Sequence, residues 1–338
     1  MQRVTIKDIA RLAGVSVTTV SRALNDAPEI HSETRDKVLR VCREQGYRAN
    51  LLARSLSSSR SGLLGLAVPD VSNPFHAALA LNIELCVQEA GYQMLLCSSR
   101  RESERLEDLF DFLYSQRVDG ILLSSAGEEA YALAGQCLGK VPCILLGACA
   151  PEASPLRANT VSVDNYAGGW MAAEYLHGLG HRDVAYFGYR SGSTTHTLRR
   201  QGFLDAAGKL GMTVETVSSP FSASTIENGY SLAREFLSGP FAQTAVFAVS
   251  DAVALGLIQV ADELGVAIPE RLSVLGFDGI EYAALPNIRL TTLSQNTPRL
   301  ARAAVRLLLE LIDGGDQEEY TRKLIPPTVI QRATCRRL

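Results

Sequence analysis

Arg22 closes the short polar run Val17-Thr18-Thr19-Val20-Ser21-Arg22. On a helix, Val20, Ala23 and Leu24 would share an inner face, leaving Thr18, Thr19, Ser21 and Arg22 outside. Short hydroxyls suit phosphates and close approach, and a guanidinium pairs with both acceptors of a guanine edge. Thr5, Ser16 and Thr19 stand at predicted helix N-termini, where backbone N–H groups and hydroxyls hold phosphates. A second set of residues follows predicted strands or lies between them: Asp70, Asn73, Phe75, His76, Arg199, Phe221, Asp251 and Asp278. A carboxylate facing a guanidinium grips hydroxyls or a carboxylate by charged hydrogen bonds. An aromatic such as Phe75 or Phe221 covers an apolar sugar or base face. Asp278 and Asp251 also fit helix caps, and His76 fits a pocket wall better than an acid or base.

The elements that must position the first set are short. Thr5-x-x-Asp8 reads as a helix cap before the apolar stripe Ile6, Ile9, Ala10, Ala13, and Gly14 reads as the stop. Ser16 caps a second helix, and a third is predicted over 32–45, closed by Val38, Leu39 and Cys42. Two short helices joined by a glycine turn are a helix-turn-helix, whose second helix fits the major groove. The Ser-rich piece 57–62 reads as a linker. The Leu/Ala/Arg stretch before it is too short to hold a helix alone.

Beyond residue 62, short apolar runs alternate with amphipathic segments. Strands are predicted over 63–68, 93–97, 120–124, 143–146, 183–188, 245–249 and 272–277. Helices are predicted over 101–115, 168–179, 251–264 and 297–314. Such alternation predicts parallel sheets covered on both faces, with enough units for two. Ligands of such sheets bind beyond the strand C-termini, so two lobes predict a cleft between them.

Here the sequence resembles the lactose/galactose repressor (LacI/GalR) family. "VTIKDIARLAGVSVTTVSRALN", "ETRDKVLRVCREQGY" and "ARSL" carry the likeness at the start. "GLLGLAVPDVSNPF", "QRVDGILL", "LGHRDVAYFG", "SVLGFDG" and "LTTL" carry it to the end. The resemblance implies that Val17, Thr18 and Arg22 read bases. It implies that Thr5, Ser16, Thr19, Ser21, Asn25, Tyr47 and Asn50 hold the backbone or neighbouring groove edges. Ala53 and Leu56 would belong to a hinge helix, with Leu56 wedged into the minor groove. Arg199 and Asp278 would be recurring effector contacts. The implied fold is an N-terminal helix-turn-helix head on an α/β two-lobed, periplasmic-binding-protein-like (type I) body with two doubly wound parallel sheets. The implied domains are a head over 1–48, a hinge and linker over 49–61, and a body over 62–338. Lobe one would hold 62–161 plus 292–323, and lobe two 162–291 plus 324–338.

Charge agrees with that division. The first 61 residues hold 11 Lys+Arg against 6 Asp+Glu, and the remainder 22 against 30. A basic head on an acidic body fits a DNA-contacting module. Seven scattered cysteines include no C-x-x-C pair, so neither a disulfide framework nor a metal site is expected. The phosphate-loop, dinucleotide, zinc-protease and nucleophile-elbow motifs are all missing, so no enzyme and no cofactor are expected. The opening residues carry no signal-like apolar core, which predicts a cytoplasmic protein. The expected partners are double-stranded operator DNA, a small-molecule effector (sugar, sugar acid or similar metabolite) and a second copy of the chain, with no membrane. The alternative is a solute-binding protein of a transport or sensing system. The basic head argues against it.

Overall fold

The computed structural model describes residues 4–24, 29–47, 60–99, 104–124, 128–136, 140–147, 158–189, 193–219, 224–314 and 320–338. The chain falls into two units, Met1–Gly62 and Leu63–Leu338.

In the first unit, helix α1 (Ile6–Ala13) starts at a full capping box. Thr5 Oγ1 accepts from the Asp8 amide at 3.4 Å, and the Asp8 carboxylate accepts from the Thr5 amide at 3.0 Å. The Thr5 hydroxyl and amide, both donating to Asp8 Oδ2, hold the Asp8 carboxyl below its ordinary range. Gly14 ends the helix at φ 64°, a left-handed conformation that costs glycine little. Ser16 Oγ accepts from the Thr19 amide at 3.0 Å and so starts α2 (Val17–Leu24). Helix α3 (Ser32–Glu44) closes a small core of Ile9, Ala10, Ala13, Val20, Ala23, Val38 and Cys42.

The second unit holds two six-stranded sheets. The first is built from β1 (Leu63–Val68), β2 (Gln93–Ser98), β3 (Gly120–Ser124), β4 (Cys143–Leu146), β5 (Asn159–Val163) and β11 (Arg322–Ile325), in the order β11-β5-β4-β3-β1-β2. The second is built from β6 (Asp183–Tyr189), β7 (Thr213–Ser219), β8 (Ala245–Ala248), β9 (Ser273–Asp278), β10 (Thr291–Ser294) and β12 (Thr328–Ile330), in the order β12-β10-β9-β8-β6-β7. Among the described residues, only the β10–β12 pairing is antiparallel. Helices α4 (Pro74–Glu89), α5 (Glu104–Ser115), α6 (Glu128–Gln136) and α11 (Thr297–Ile312) are interleaved with the first sheet. Helices α7 (Asn165–Gly178), α8 (Thr194–Lys209), α9 (Ile226–Leu237) and α10 (Asp251–Glu263) are interleaved with the second.

The backbone passes between the sheets after β5, after β10 and after β11. All three crossings differ from the boundaries expected from the sequence, the first because Ser162 and Val163 stay in the first sheet as the end of β5. All of β10 belongs to the second sheet, because Leu293 registers with Phe277 and Thr292 is pinned under Asp251. The first sheet keeps Leu324 and Ile325, which register with Ser162 and Val163. The strands β5, β7, β10, β11 and β12 were not among those predicted, since pairing rather than local pattern creates them.

Helices α7 and α8 cross at two glycines. A Cβ on Gly169 would lie 1.9 Å from the Arg199 carbonyl oxygen, and one on Gly202 would lie 2.0 Å from that of Tyr166. Backbone therefore packs on backbone at the point where α8 carries Arg199.

Candidate DNA interface and effector cleft

In the head, one surface gathers much of what the sequence singled out. Val17, Thr18 and Arg22 are exposed on α2, with Thr19 and Ser21 half-buried beside them. Thr5 and Ser16 spend their hydroxyls on the two helix starts, and Ser16 Oγ lies 2.8 Å from Thr19 Oγ1. Tyr47 packs partly on the head core. Val20 and Ala23 are buried in the core of the head, while Arg22 between them in sequence is exposed. Asn25, Asn50, Ala53 and Leu56 lie outside the described residues.

In the body, the residues that follow β1 meet the second lobe. On the first lobe, the Asp70 carboxylate accepts from the Ser72 amide and hydroxyl at 2.8 and 2.6 Å, forming the turn after β1. Asn73 caps α4 and reaches the Ser224 carbonyl of the other lobe at 3.5 Å. Phe75 packs against the cores of both lobes. His76 stands edge-on to Phe75 at 5.3 Å, with its Nδ1 3.5 Å from Ser124 Oγ.

Across the cleft, Arg199 is buried and tightly held. Its Nη2 and Nε donate to Asn165 Oδ1 at 2.8 and 3.3 Å, and its Nη1 donates to the Val249 carbonyl. The guanidinium lies flat over Phe277, 3.4 Å from the ring centre. Asp278 Oδ1 sits 4.0 Å from Nη1 and accepts from Gln295 Nε2 at 2.6 Å. Burial pushes the Asp278 carboxyl up and Arg199 pulls it back. Asp278 also holds φ 130°, a conformation side chains rarely adopt and one that collects at functional sites.

Asp251 has a different place. Ser250 caps α10, accepting from the Val253 amide, and Asp251 is fully buried behind it. Its Oδ2 accepts from the Gly279 and Ile280 amides at 2.8 and 2.9 Å, and its Oδ1 accepts from Thr292 Oγ1 at 2.5 Å. The carboxylate therefore ties down the loop after Asp278, and the expectation that it faces a ligand is corrected. Phe221 lies outside the described residues.

The sequence reading passed over Asn165, His196 and Gln295. His196 lies three residues before Arg199 on α8, with its ring 5.3 Å from that of Tyr189. Burial holds its imidazole down at about 3, and Arg199 and His76 add to the effect. The spacing of His196 and Arg199 was the available signal for one shared helix face. Asn165 and Gln295 gave none, because each acts through a distant residue.

A helical head that presents an arginine, joined in one chain to a two-lobed body with a charged cleft, defines a ligand-responsive DNA-binding regulator. Residues 5–50 match the bacterial regulatory proteins of the lacI family, and residues 173–335 match the periplasmic binding protein-like domain. The HTH-type transcriptional regulator DegA of Bacillus subtilis is 32% identical over 98% of this chain and 97% of its own. The HTH-type transcriptional repressor PurR of Pasteurella multocida is 30% identical over 99% of both chains. The Lac repressor dimer bound to operator and the anti-inducer ONPF superposes with TM-score 0.85 at 25% identity, covering 98% of this chain and 99% of that one. The chain belongs to the lacI family. It is a transcriptional repressor with a DNA-binding domain and an effector-binding domain, and it is not an enzyme. No helix among the described residues is long and apolar enough to cross a membrane.

Proposed function

We propose that this repressor binds a palindromic operator as a homodimer in the cytoplasm and is controlled by a sugar or related metabolite in the inter-lobe cleft. The buried Arg199–Asp278 pair carries this reading. A guanidinium beside a carboxylate matches vicinal hydroxyls, and the strained backbone at Asp278 is sustained because the surroundings over-determine it. Asp70, Asn73, Phe75 and His76 form the opposing wall. In the head, Val17, Thr18 and Arg22 read base edges, while Thr5, Ser16, Thr19, Ser21 and Tyr47 hold phosphates or neighbouring edges. The same roles for Asn25 and Asn50, the hinge role of Ala53 and Leu56, and the effector role of Phe221 rest on the sequence alone. The domain limits 1–48 and 49–61 rest on it too.

A dimer is supported by apolar side chains left open on one flank of the first lobe. Leu81 and Leu85 on α4 and Leu96 on the edge strand β2 are 57%, 51% and 46% exposed. The solved Lac repressor is itself a dimer on operator. A ligand that favours one lobe arrangement shifts the population able to hold two heads on two half-sites.

Footprinting of the purified protein on its own upstream DNA, at fixed salt and with a panel of metabolites, tests the reading. A protected palindrome whose occupancy one compound changes is the expected result. Protection that no compound alters, or no protection at all, overturns it.

A further inference from the structure

His196 belongs to the cleft but not to the Arg199–Asp278 network. Its Nδ1 is buried and has no hydrogen-bond partner among the described residues. Such an orphan costs about 1–3 kcal/mol in a folded protein, so its retention calls for a partner beyond the described residues. The residue as a whole is half-buried. Its ring lies 5.3 Å from that of Tyr189, Arg199 follows three residues on along α8, and His76 of the opposite lobe acts on its charge. A half-buried side chain that feels charged groups of both lobes fits the wall of a site between them.

The charges around it restrict the occupant. Arg199 already has Asp278, Asn165 and the Val249 carbonyl as partners and Phe277 beneath it. An anionic effector would meet the Asp278 carboxylate and a guanidinium whose charge is already matched. A hydroxyl both donates and accepts, so it satisfies either tautomer of a neutral imidazole.

We infer that His196 is a specificity-determining contact that reads one hydroxyl of a neutral, polyhydroxylated effector. This rests on the cleft being the effector site. Recognition of a hydroxyl by a buried polar group is steep, because an analogue lacking it leaves that group unpaired.

The test titrates the full chain by calorimetry with ribose, glucose and cellobiose, and with ribose 5-phosphate, glucose 6-phosphate and gluconate. His196→Ala and Asp278→Asn are measured beside the wild type. A neutral sugar is expected to bind, and His196→Ala to weaken it at least tenfold without lowering the melting temperature of the unliganded protein at pH 7.5. One deoxy analogue of that sugar should bind the wild type as weakly as the variant, and lose nothing further in the variant. Binding by the anionic compounds alone, or by none of the neutral ones, overturns the ligand class. Unchanged affinity in His196→Ala with loss in Asp278→Asn overturns the role of His196 and leaves the cleft reading standing. Unchanged affinity in both variants removes the effector from the cleft.

Discussion

Asp251 offers the sharpest test of how the cleft is built. Its carboxylate accepts two backbone amides of the loop after β9 and the hydroxyl of Thr292. Alanine would strand three donors in a region with no solvent access. Hydrogen bonds to a charged group contribute about 1.5–3 kcal/mol each, and water entering the cavity would recover part of that. A net loss of at least about 3 kcal/mol is expected. Asparagine keeps the shape and one acceptor oxygen. Its amide nitrogen would face the Thr292 hydroxyl, which can turn to accept, so a loss nearer 1 kcal/mol is expected. For a body of this size, the alanine variant should melt about 6–12 °C lower than the wild type. Its effector affinity should fall too, although Asp251 touches no effector, because the loop it anchors aims Asp278. Thermal melting followed by calorimetry reads both. An alanine variant with wild-type melting and wild-type effector affinity would refute the argument.

Arg22→Ala should cost about 1–3 kcal/mol of operator affinity and relax the preference at one base pair, read by anisotropy on single-substituted operators. Equal loss on every sequence would mean that Arg22 contacts phosphate instead. Gly169→Ala should drive α8 off α7, because its Cβ would meet the Arg199 carbonyl at 1.9 Å, and both stability and effector binding should fall. Gly178→Ala has nothing within 4 Å and should be neutral or stabilising by about 0.5–1 kcal/mol, which makes it the matched control in the same melt. The His196 imidazole is held at about 3, below its unfolded value, so the unfolded chain takes up a proton that the folded one refuses, and stability falls as the pH drops from about 6.5 towards 3. By pH 5 that loss reaches up to about 2 kcal/mol. His196→Asn should therefore show a smaller drop in melting temperature from pH 7 to pH 5, and an unchanged drop would place the acid sensitivity elsewhere.

The sequence by itself determined the elements and their caps. Thr5, Asp8, Gly14 and Ser16 act on neighbours within a few residues, so their spacing alone states where α1 begins and ends and where α2 begins. The alternation of apolar runs with helices likewise stated two parallel sheets, because a strand buried on both faces must be continuously apolar. It also placed Asp278 at a strand end. Only the tertiary structure decided what those residues do. The sequence left Asp251 between cap and ligand contact. The fold made it the anchor of a loop 28 residues away, by burying it where the Gly279 and Ile280 amides had no other acceptor. Arg199 faces Asp278 because Gly169 and Gly202 let two helix backbones touch, and it is held by Asn165, 34 residues earlier on the other helix. Strand β10 joined the second sheet through its register with β9, which no local pattern announces. Caps and periodicity are short-range and survive in the one-dimensional text. Burial, register and the meeting of charges are long-range, and they exist only once the chain has closed on itself.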